Sequence, residues 1–349
     1  MALTDKVLQI LAASRDAIGE LADQQVISLV GAWVDSWDGL ANELESALDD
    51  LMAAADDGRV TASQVSRSQR LRAALAVAEG EAERLRQYAA DNITADVPTV
   101  VQTAAETSRA VMAAQLPPAA QNLQEWVPLN ENTLTAIVAR TTQQIHASSL
   151  PLSGEMIGAM RRELVNGISV GDNPRTTGRK IMTRLEGNFN GGLSRATRIA
   201  RTELLDAGRA TSHASAQANQ SMIEARVWVA SLDSRTCTSC LAQHGTEWPV
   251  DQFGPEDHQQ GRCTFVDKTK TWAELGFTGI EDDDRDLAAE RDAWFENLTD
   301  ETQRAVMGPA RLELFKSGAI GWDDMTTRKD NPNWRPAHYE TPVKDLTNR

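Results

Sequence analysis

Three cysteines and one histidine lie close together in a chain that contains no other cysteine. Cys237 and Cys240 form a Cys-x-x-Cys pair in the stretch DSRTCTSC, and Cys263 follows in DHQQGRCTF, five positions after His258. Thiolates and imidazoles are the ligands that zinc prefers, and closed sites with four such ligands are structural. The spacing therefore predicts a structural zinc site formed by Cys237, Cys240, His258 and Cys263, which would hold a small hairpin together.

Other interpretations of these residues stay open on the sequence alone. The thiols could be ordinary small side chains, and His244, in AQHGTEW, could replace His258 as a ligand. Cys237 or Cys240 could act as a nucleophile with His258, although a four-ligand site would leave no free thiolate. A thioredoxin-like redox pair would require a β-α-β context, which the pattern around these cysteines does not predict.

Common catalytic motifs are missing from the sequence. A zinc deaminase needs His-x-Glu upstream of Pro-Cys-x-x-Cys, but no glutamate follows His146 or His213 at that spacing. The motifs of zinc proteases, serine hydrolases and phosphate-binding loops are also missing. We therefore expect no catalytic residues and no enzyme activity.

Composition favours a helical protein. The 349 residues are rich in alanine, leucine, glutamate and arginine, and they include only 2 Tyr and 6 Phe. The net charge of −15 argues against a general nucleic-acid coat. No apolar run approaches the roughly 20 residues that span a bilayer, and the first residues do not resemble a secretory signal. We expect a protein that is made in a cytosol and has no membrane partner.

Apolar periodicity predicts where the helices lie. Apolar residues every three or four positions predict two helices over 4–55, one over 64–92 and one over 97–115. Pro117 and Pro118 then break the pattern. Further helices are predicted near 130–147 and 153–166. A helix–loop–helix is predicted over VNGISVGDNPRTTGRK (165–180), with Asn173 as a cap and Pro174 at the first helical position. A long helix is predicted over LSRATRIARTELLDAGRATSHASAQAN (193–219).

A strand pattern begins only late in the chain. RVWVASL (226–232) alternates in hydrophobicity, and RCTFVD (262–267) is predicted to pair with it. Short helices follow residue 281, and the last residues, from RKDNPNW onward, are predicted to form an extended tail. The predicted fold is mainly α, with a long helical N-terminal region, a small α+β domain with a zinc-knuckle-like hairpin, and a helical, extended C-terminal tail. The predicted segments are a helical arm or bundle (1–116), a helical linker (117–190), the α+β domain (191–275) and the C-terminal part (276–349).

A basic stretch lies within this acidic chain. From Arg161 to Arg209 there are ten lysines and arginines against five acidic residues, and Arg195, Arg198 and Arg201 are spaced three apart on the long predicted helix. The arginines could form a solvated face with pairs along the helix. The alternative is an electropositive strip that meets an acidic partner or DNA phosphates.

The motifs together resemble the phage Mu protein F-like family of minor head proteins. In that family a helix with Arg-x4-Ala-Arg-Thr-Glu precedes a Trp…Asp-x-Arg-Thr-Cys-x-x-Cys segment, and a His-Pro-x-Cys-Arg-Cys element closes the domain. The matching residues here are Arg201, Thr202, Glu203, Trp228, Asp233, Arg235, Thr236, Cys237, Cys240, His258, Arg262 and Cys263. Two positions depart from the pattern, because Gln259 replaces a proline and Gly261 replaces the first cysteine of Cys-Arg-Cys.

The resemblance implies a minor capsid (head morphogenesis) protein of a tailed phage that infects actinobacteria. Such a protein is made in the host cytoplasm, is assembled with the portal protein inside the head near the portal vertex, and assists head morphogenesis, DNA packaging or ejection. Major capsid or scaffolding protein is a further implied partner, and packaged DNA is a candidate contact for Arg195, Arg198 and Arg201. The alternative function is a metal- or thiol-dependent enzyme, such as a capsid maturation protease or a nuclease, that acts during head assembly.

Overall fold

Long helices make up most of the protein. The computed structural model describes residues 3–54, 62–117, 126–168, 174–282, 285–331 and 335–347. The helices that precede the first strand are Asp5–Ala53 (α1), Ala62–Arg67 (α2), Gln69–Ala95 (α3), Val97–Gln115 (α4), Glu131–Ser149 (α5), Pro151–Ile168 (α6) and Pro174–Ala218 (α7). The prediction of a mainly α chain with a small C-terminal sheet region is confirmed.

Short strands and helices make up the rest of the chain. Ile223–Val229 (β1) is the central strand of an antiparallel sheet with Glu247–Trp248 (β2) and Thr264–Thr269 (β3), in the order β2-β1-β3. The other elements are the helices Thr238–Gln243 (α8), Leu287–Glu296 (α9), Asp300–Met307 (α10), Pro309–Lys316 (α11) and Val343–Leu346 (α12), a 3-10 turn at Trp322–Met325, and the strands Thr326–Lys329 (β4) and Ala337–Glu340 (β5).

The chain divides into two compact units, each built from separate stretches of sequence. The first unit contains Met1–Ile18, Pro98–Val138 and Leu205–Arg349, and the second contains Gly19–Val97 and Ala139–Leu204. The helix α7 runs without a break through the predicted boundary between residues 190 and 191. The division into four functional segments stays a prediction.

The second unit is a helical bundle with aromatic residues in its core. Trp33 is 1% exposed, and its indole N–H donates to the backbone carbonyl of Phe189 at 3.2 Å. The ring of Phe189 packs against that of Trp37, with centroids 5.3 Å apart. The buried amide of Gln25 donates to the carbonyls of Asn92 and Ile93, which satisfies two acceptors near the end of α3.

Residues 5–53 form one helix, so the prediction of two helices over 4–55 is wrong. Three glycines, Gly19, Gly31 and Gly39, lie within α1, and glycine lowers helix propensity by about 1 kcal/mol each. A glycine keeps its backbone N–H, however, and does not break the hydrogen-bond ladder as proline does. The buried face of α1 supplies the stabilisation that the local sequence lacks.

The predicted helix boundaries around the prolines agree with the structure where it describes them. The helix α4 covers 97–115, as predicted, and α7 begins at Pro174. The predicted break residue Pro118 and the predicted cap Asn173 lie outside the described residues. Within the described parts of the chain, no helix has both the length and the hydropathy required to cross a membrane.

The two faces of the sheet have different surroundings. Val227 and Val229 belong to an apolar cluster that includes Leu11 of α1 and Val111 of α4. Trp228, between them, belongs to a cluster on the opposite face that contains the cysteines. Trp228 pairs with Phe265 on the antiparallel neighbour β3, so the predicted pairing of the two strands is confirmed. The alternation of valine and tryptophan thus places one face of β1 on helices and the other beside the thiols.

The C-terminal part is more regular than its sequence indicates. The strands β4 and β5 pair antiparallel, with Thr326 opposite Glu340 and Lys329 opposite Ala337. The predicted extended tail, from residue 328 onward, is therefore in part a strand pair, which the prediction did not include. Each strand is only four residues long, too short for a clear alternation, and tertiary contacts decide its conformation.

Candidate metal centre

The Cys-x-x-Cys pair lies where the chain leaves the sheet and enters α8. Cys237 is the N-cap residue of α8 with extended backbone angles, and its sulfur accepts a hydrogen bond from the backbone N–H of Cys240 at 3.4 Å. This first turn brings the two thiols to the same side. Because Cys237 is the N-cap residue and Cys240 lies in the first turn, the two-residue spacing directs both sulfurs toward the same point, where a metal ion could bind.

The loop before Cys237 is held by a bidentate ion pair. The two terminal nitrogens of Arg262 donate to the two carboxylate oxygens of Asp233 at 2.6 and 2.7 Å. The same carboxylate accepts the backbone N–H of Arg235, and the hydroxyl of Thr236 donates to the carbonyl of Ser231. The hydrogen bonds from Arg262 hold the pKa of the Asp233 carboxyl well below its usual range. The Asp-x-Arg-Thr motif thus ties the first thiol loop to the residue before Cys263.

His258 faces both thiols of the pair. Its Nε2 atom lies 3.3 Å from the sulfur of Cys237 and 3.6 Å from that of Cys240. Its Nδ1 atom lies 2.9 Å from the carbonyl of Gln259, so Nδ1 carries the hydrogen and donates it. In the neutral ring, this hydrogen bond leaves the lone pair of Nε2 directed at the thiols, as a metal-ligating imidazole requires.

The three donor atoms fit a tetrahedral zinc site. The sulfurs of Cys237 and Cys240 and a nitrogen of His258 all lie within 4.8 Å of one another. Zinc–sulfur bonds of about 2.3 Å and zinc–nitrogen bonds of about 2.0 Å imply a sulfur–nitrogen separation of about 3.5 Å. The separations of 3.3 and 3.6 Å lie on either side of that value. Three of the four predicted ligands are thus brought together in a geometry that a zinc ion fits.

The fourth predicted ligand, Cys263, lies next to this cluster but not in it. Its side chain is 4% exposed, interacts with the Cys240 thiol and packs with Trp228 and Phe265. Within the described residues its sulfur does not join the set of donors that all lie within 4.8 Å of one another. Coordination by Cys263 stays a prediction.

The competing histidine is used elsewhere. The Nδ1 atom of His244 accepts the backbone N–H of Ala230 at 3.0 Å, and the side chain is buried. Burial lowers the pKa of His244 to about 4, so the ring is neutral at physiological pH. It is not part of the three-donor cluster in the described structure.

In the protein without metal, Cys237 is a thiolate and His258 is an imidazolium cation, and the two opposite charges stabilise each other. Hydrogen bonds with Cys240 and His258 lower the pKa of the Cys237 thiol to about 5. The hydrogen bond with Cys237 raises the pKa of His258 to about 9. Hydrogen bonds with Cys237 and Cys263, together with burial, raise the pKa of Cys240. One thiol of the pair is thus a thiolate at neutral pH and the other is not.

We expect chelator-treated protein to be alkylated by iodoacetamide first at Cys237, with a rate that rises to half its maximum near pH 5. A cysteine thiol with the ordinary pKa of 9.0 would give a midpoint four units higher. Because the pKa of Cys237 is lowered on folding, the stabilising contribution of its thiolate is lost as the pH falls through about 5. Because the pKa of His258 is raised on folding, the stabilising contribution of the His258 cation is lost as the pH rises through about 9.

Mass spectrometry of the alkylated peptides over a pH series measures this profile, and Cys237→Ser is the matched control that should lose the low-pH phase. A single midpoint near pH 9 for all three cysteines would contradict the thiolate–imidazolium pair.

Buried ion pairs support the turn that carries His258. Asp257 is fully buried, and its carboxylate accepts from Arg209 of α7 at 2.7 Å and from Arg335 at 3.0 Å. Arg209 also donates to the carbonyls of Gly261 and Cys263. Sequence analysis missed these three charged residues. Asp257 directly precedes His258, and Arg209 lies on the same helix as the motif residues Arg201, Thr202 and Glu203. Their positions next to motif residues are the only sequence signal that could have identified them.

The turn leaves no space for a side chain at position 261. A β-carbon built on Gly261 would lie 2.1 Å from Oδ2 of Asp257 and 2.8 Å from the carbonyl oxygen of His258. The backbone N–H of Gly261 donates to that same carbonyl. The glycine at the position where the resembled family has a cysteine is thus required by the buried carboxylate beside it.

Residues 159–266 match a family model described as phage Mu protein F like protein. The matched segment, called the Mu F-like segment below, includes α7, the Cys-x-x-Cys turn, His258 and the first residues of β3. The match supports a role in phage head morphogenesis and association with the virion. A search of curated proteins and a search of solved structures returned no match.

Residues beyond the Mu F-like segment also contact the thiol turn. The carboxylate of Glu340 on β5 accepts from the backbone N–H and the hydroxyl of Thr238 at 3.0 and 2.9 Å. Ser239 shares a hydrogen bond with Thr326 on β4. The hairpin β4–β5 is thus bound to the first turn of α8, directly beside Cys237 and Cys240.

The three arginines of the basic strip differ in their surroundings. Arg201 donates to Asp23 at 2.7 Å, and Arg195 forms an ion pair with Glu155. Arg198 is exposed and forms no ion pair with another residue that the structure describes. Two of the three guanidinium groups are therefore already paired within the second unit.

Proposed function

We propose that the chain is a minor head protein of a tailed phage with an actinobacterial host, assembled with the portal protein inside the head near the portal vertex. There it assists head morphogenesis, DNA packaging or DNA ejection. The match of residues 159–266 to the Mu F-like family carries this proposal. A small centre of two thiols and one imidazole, supported by buried ion pairs, agrees with a structural module.

Zinc is the proposed structural cofactor, held by Cys237, Cys240 and His258, with Cys263 as the proposed fourth ligand. The ion supplies a cross-link between the turn that follows β1 and the turn that precedes β3. The residues themselves already position the donors, through the cap hydrogen bond of Cys237 and the Nδ1 hydrogen bond of His258. The ion would thus add stability to a preformed arrangement.

Exposed apolar residues of α1 suit a helical partner. Ile27 is 71% exposed, Val30 is 40% exposed and Val34 is 51% exposed, and their spacing of three and four residues places them on one face. Packing of such a stripe into a groove between helices is a common mode of recognition. We propose that this face meets the portal protein or, in the procapsid, major capsid or scaffolding protein. The exposed Arg198 is the candidate contact with packaged DNA.

Mass spectrometry of purified virions and procapsids of the phage that encodes the chain tests the proposal. We expect a few copies per particle, cross-linked to the portal protein, and we expect loss of infectious particles when the gene is deleted. Complementation by the unchanged gene should restore them, and Arg198→Gln should restore head assembly if this arginine contacts only DNA. Absence of the chain from both virions and procapsids would overturn the proposal.

A thiol-dependent enzyme is the second candidate function. It is favoured by the 3.3 Å contact between Cys237 and His258, because a thiolate beside an imidazolium is a nucleophile. The variant Cys237→Ser separates the two functions. An enzyme would lose turnover of capsid protein or nucleic acid and keep its fold, whereas a structural site would lose zinc and local structure.

A further inference from the structure

A cavity in the first unit lies on the helix-facing side of the sheet and does not include Cys237, Cys240 or His258 in its lining. It has a volume of about 60 Å³ and is lined by residues of α1, α4, α7 and β3, together with Arg262 and Cys263. That volume corresponds to about four water-sized groups. Its apolar wall includes Leu11, Val111 and Val266, and its polar wall includes Ser14 and Thr107. The cavity is therefore large enough for a small polar group with a short apolar stem.

Arg15 is the side chain in this cavity whose charge is least compensated. Its side chain is 22% exposed, and the nearest carboxylate oxygen belongs to its exposed sequence neighbour Asp16, 4.0 Å from Nε. No hydrogen bond of its guanidinium is recorded among the described residues. The other arginines of the lining differ, because Arg209 donates to Asp257 and Arg262 donates to Asp233 with both terminal nitrogens. A largely buried charge without a close partner is unfavourable unless a ligand supplies one.

Positive charge dominates the lining in spite of the acidic chain. Arg15, Arg209 and Arg262 face the cavity together with one carboxylate, that of Asp267. Asp267 is bound to Arg226 at 2.9 Å and is therefore not available to Arg15. Burial lowers the pKa of Arg15, and the neighbouring Arg262 adds to this effect. An arginine still stays protonated in proteins, so the local field favours an anion.

A hydroxyl group of the lining can complete the coordination of an anion. Ser212 accepts from Arg226 at 2.8 Å, so Ser212 retains its own hydroxyl hydrogen for another acceptor. The hydroxyls of Thr107 and Ser14 are used within the protein, because Thr107 donates to the carbonyl of Thr103 at 2.7 Å and Ser14 donates to Thr107. A planar guanidinium with adjacent hydroxyl donors recognises the oxygens of a carboxylate or a phosphate.

We propose that this cavity binds a small oxyanion, a carboxylate or phosphate group, with Arg15 as its principal partner and Ser212 as a second donor. A short aliphatic stem on the anion would pack against Leu11 and Val111. The proposal does not depend on the head-assembly function proposed above. Cys263 borders the cavity, whereas Cys237, Cys240 and His258 do not line it, so anion binding can be measured independently of zinc content.

Calorimetric titration of the full chain tests the site with two probes, sodium propionate and inorganic phosphate, at constant ionic strength against chloride. We expect saturable binding of at least one probe, and the stronger of the two identifies the oxyanion. Arg15→Met should weaken that binding about tenfold or more, since it removes charge-assisted hydrogen bonds. Arg15→Lys should retain part of it, and Arg198→Gln, which removes an exposed charge elsewhere, should leave it unchanged.

The Arg15→Met substitution nearly keeps the length of the side chain and removes a charge that has no close partner. Without added anion, the melting temperature of the variant should therefore equal or exceed that of the wild type. Circular dichroism of the same samples confirms the fold. Failure of both probes to bind, or binding that Arg15→Met and Arg15→Lys leave unchanged, would overturn the proposal.

Discussion

Replacing Cys237 and Cys240 together by serine is expected to reduce the bound zinc from about one ion per chain to none and to destabilise the segment around α8. Zinc held by thiolates and imidazole contributes on the order of 10 kcal/mol to the folding of small metal modules. The helix α8 is buried and is bound to β4 and β5, so loss of the ion removes the cross-link between its first turn and the turn that carries His258, and the remaining contacts stay. Elemental analysis of protein purified without chelator measures the metal, and hydrogen exchange of residues 230–263 measures the fold.

Two further variants make this experiment sharper. Cys263→Ser decides the fourth ligand, since zinc affinity falls strongly if Cys263 coordinates and changes little if it only packs beside Cys240. His244→Asn is the control for the competing histidine and should retain one zinc per chain. Wild-type protein that is well folded yet holds no metal would contradict the hypothesis of a structural zinc site. The thiol-enzyme alternative would then gain support from the Cys237–His258 contact.

Replacing Gly261 by alanine is expected to destabilise the first unit by about 3–5 kcal/mol and to weaken zinc binding. The added β-carbon would meet the Asp257 carboxylate at 2.1 Å, so that the carboxylate must move away from Arg209 and Arg335. A buried carboxylate displaced from its partners carries most of the expected loss of stability. The turn would move with it, and His258 would lose its position opposite the thiols.

Guanidinium denaturation followed by far-UV circular dichroism, with zinc content in parallel, measures both effects. Gly191→Ala is the matched control, because nothing lies within 4 Å of a β-carbon at that exposed position of α7. Alanine there should stabilise the helix by up to about 1 kcal/mol. An alanine variant at position 261 with unchanged stability and zinc content would show that the turn adapts without cost.

Much of the local structure follows from periodicity and turn chemistry. The helix over 97–115, the start of α7 at Pro174 and the pairing of the strands around Trp228 and Phe265 agree with the predictions. Apolar spacing near 3.6 residues and strict alternation are local signals, and local signals decide such elements. The prediction failed where the local signal was weak, as for the short strands β4 and β5.

Some residues of the candidate site could be predicted from the sequence, and others could not. The residue types and spacing of Cys237, Cys240 and His258 were sufficient to predict a shared centre, because ligand chemistry requires thiol and imidazole donors within a few ångströms. Arg335 and Glu340 could not be predicted, because their contacts with Asp257 and Thr238 join positions 78 and 102 residues apart. No periodicity links residues at such separations.

The sequence by itself determined the helical class, the antiparallel strand pair and the identity of three clustered donors, because each depends on neighbouring residues or on ligand chemistry. Only the tertiary structure decided that α1 is continuous, that Cys263 lies beside the three-donor cluster, that Gly261 has no space for a side chain, and that Arg15 faces a cavity. These features depend on which distant groups share a buried volume. Packing and the pairing of buried charges determine that choice, and both are properties of the folded chain.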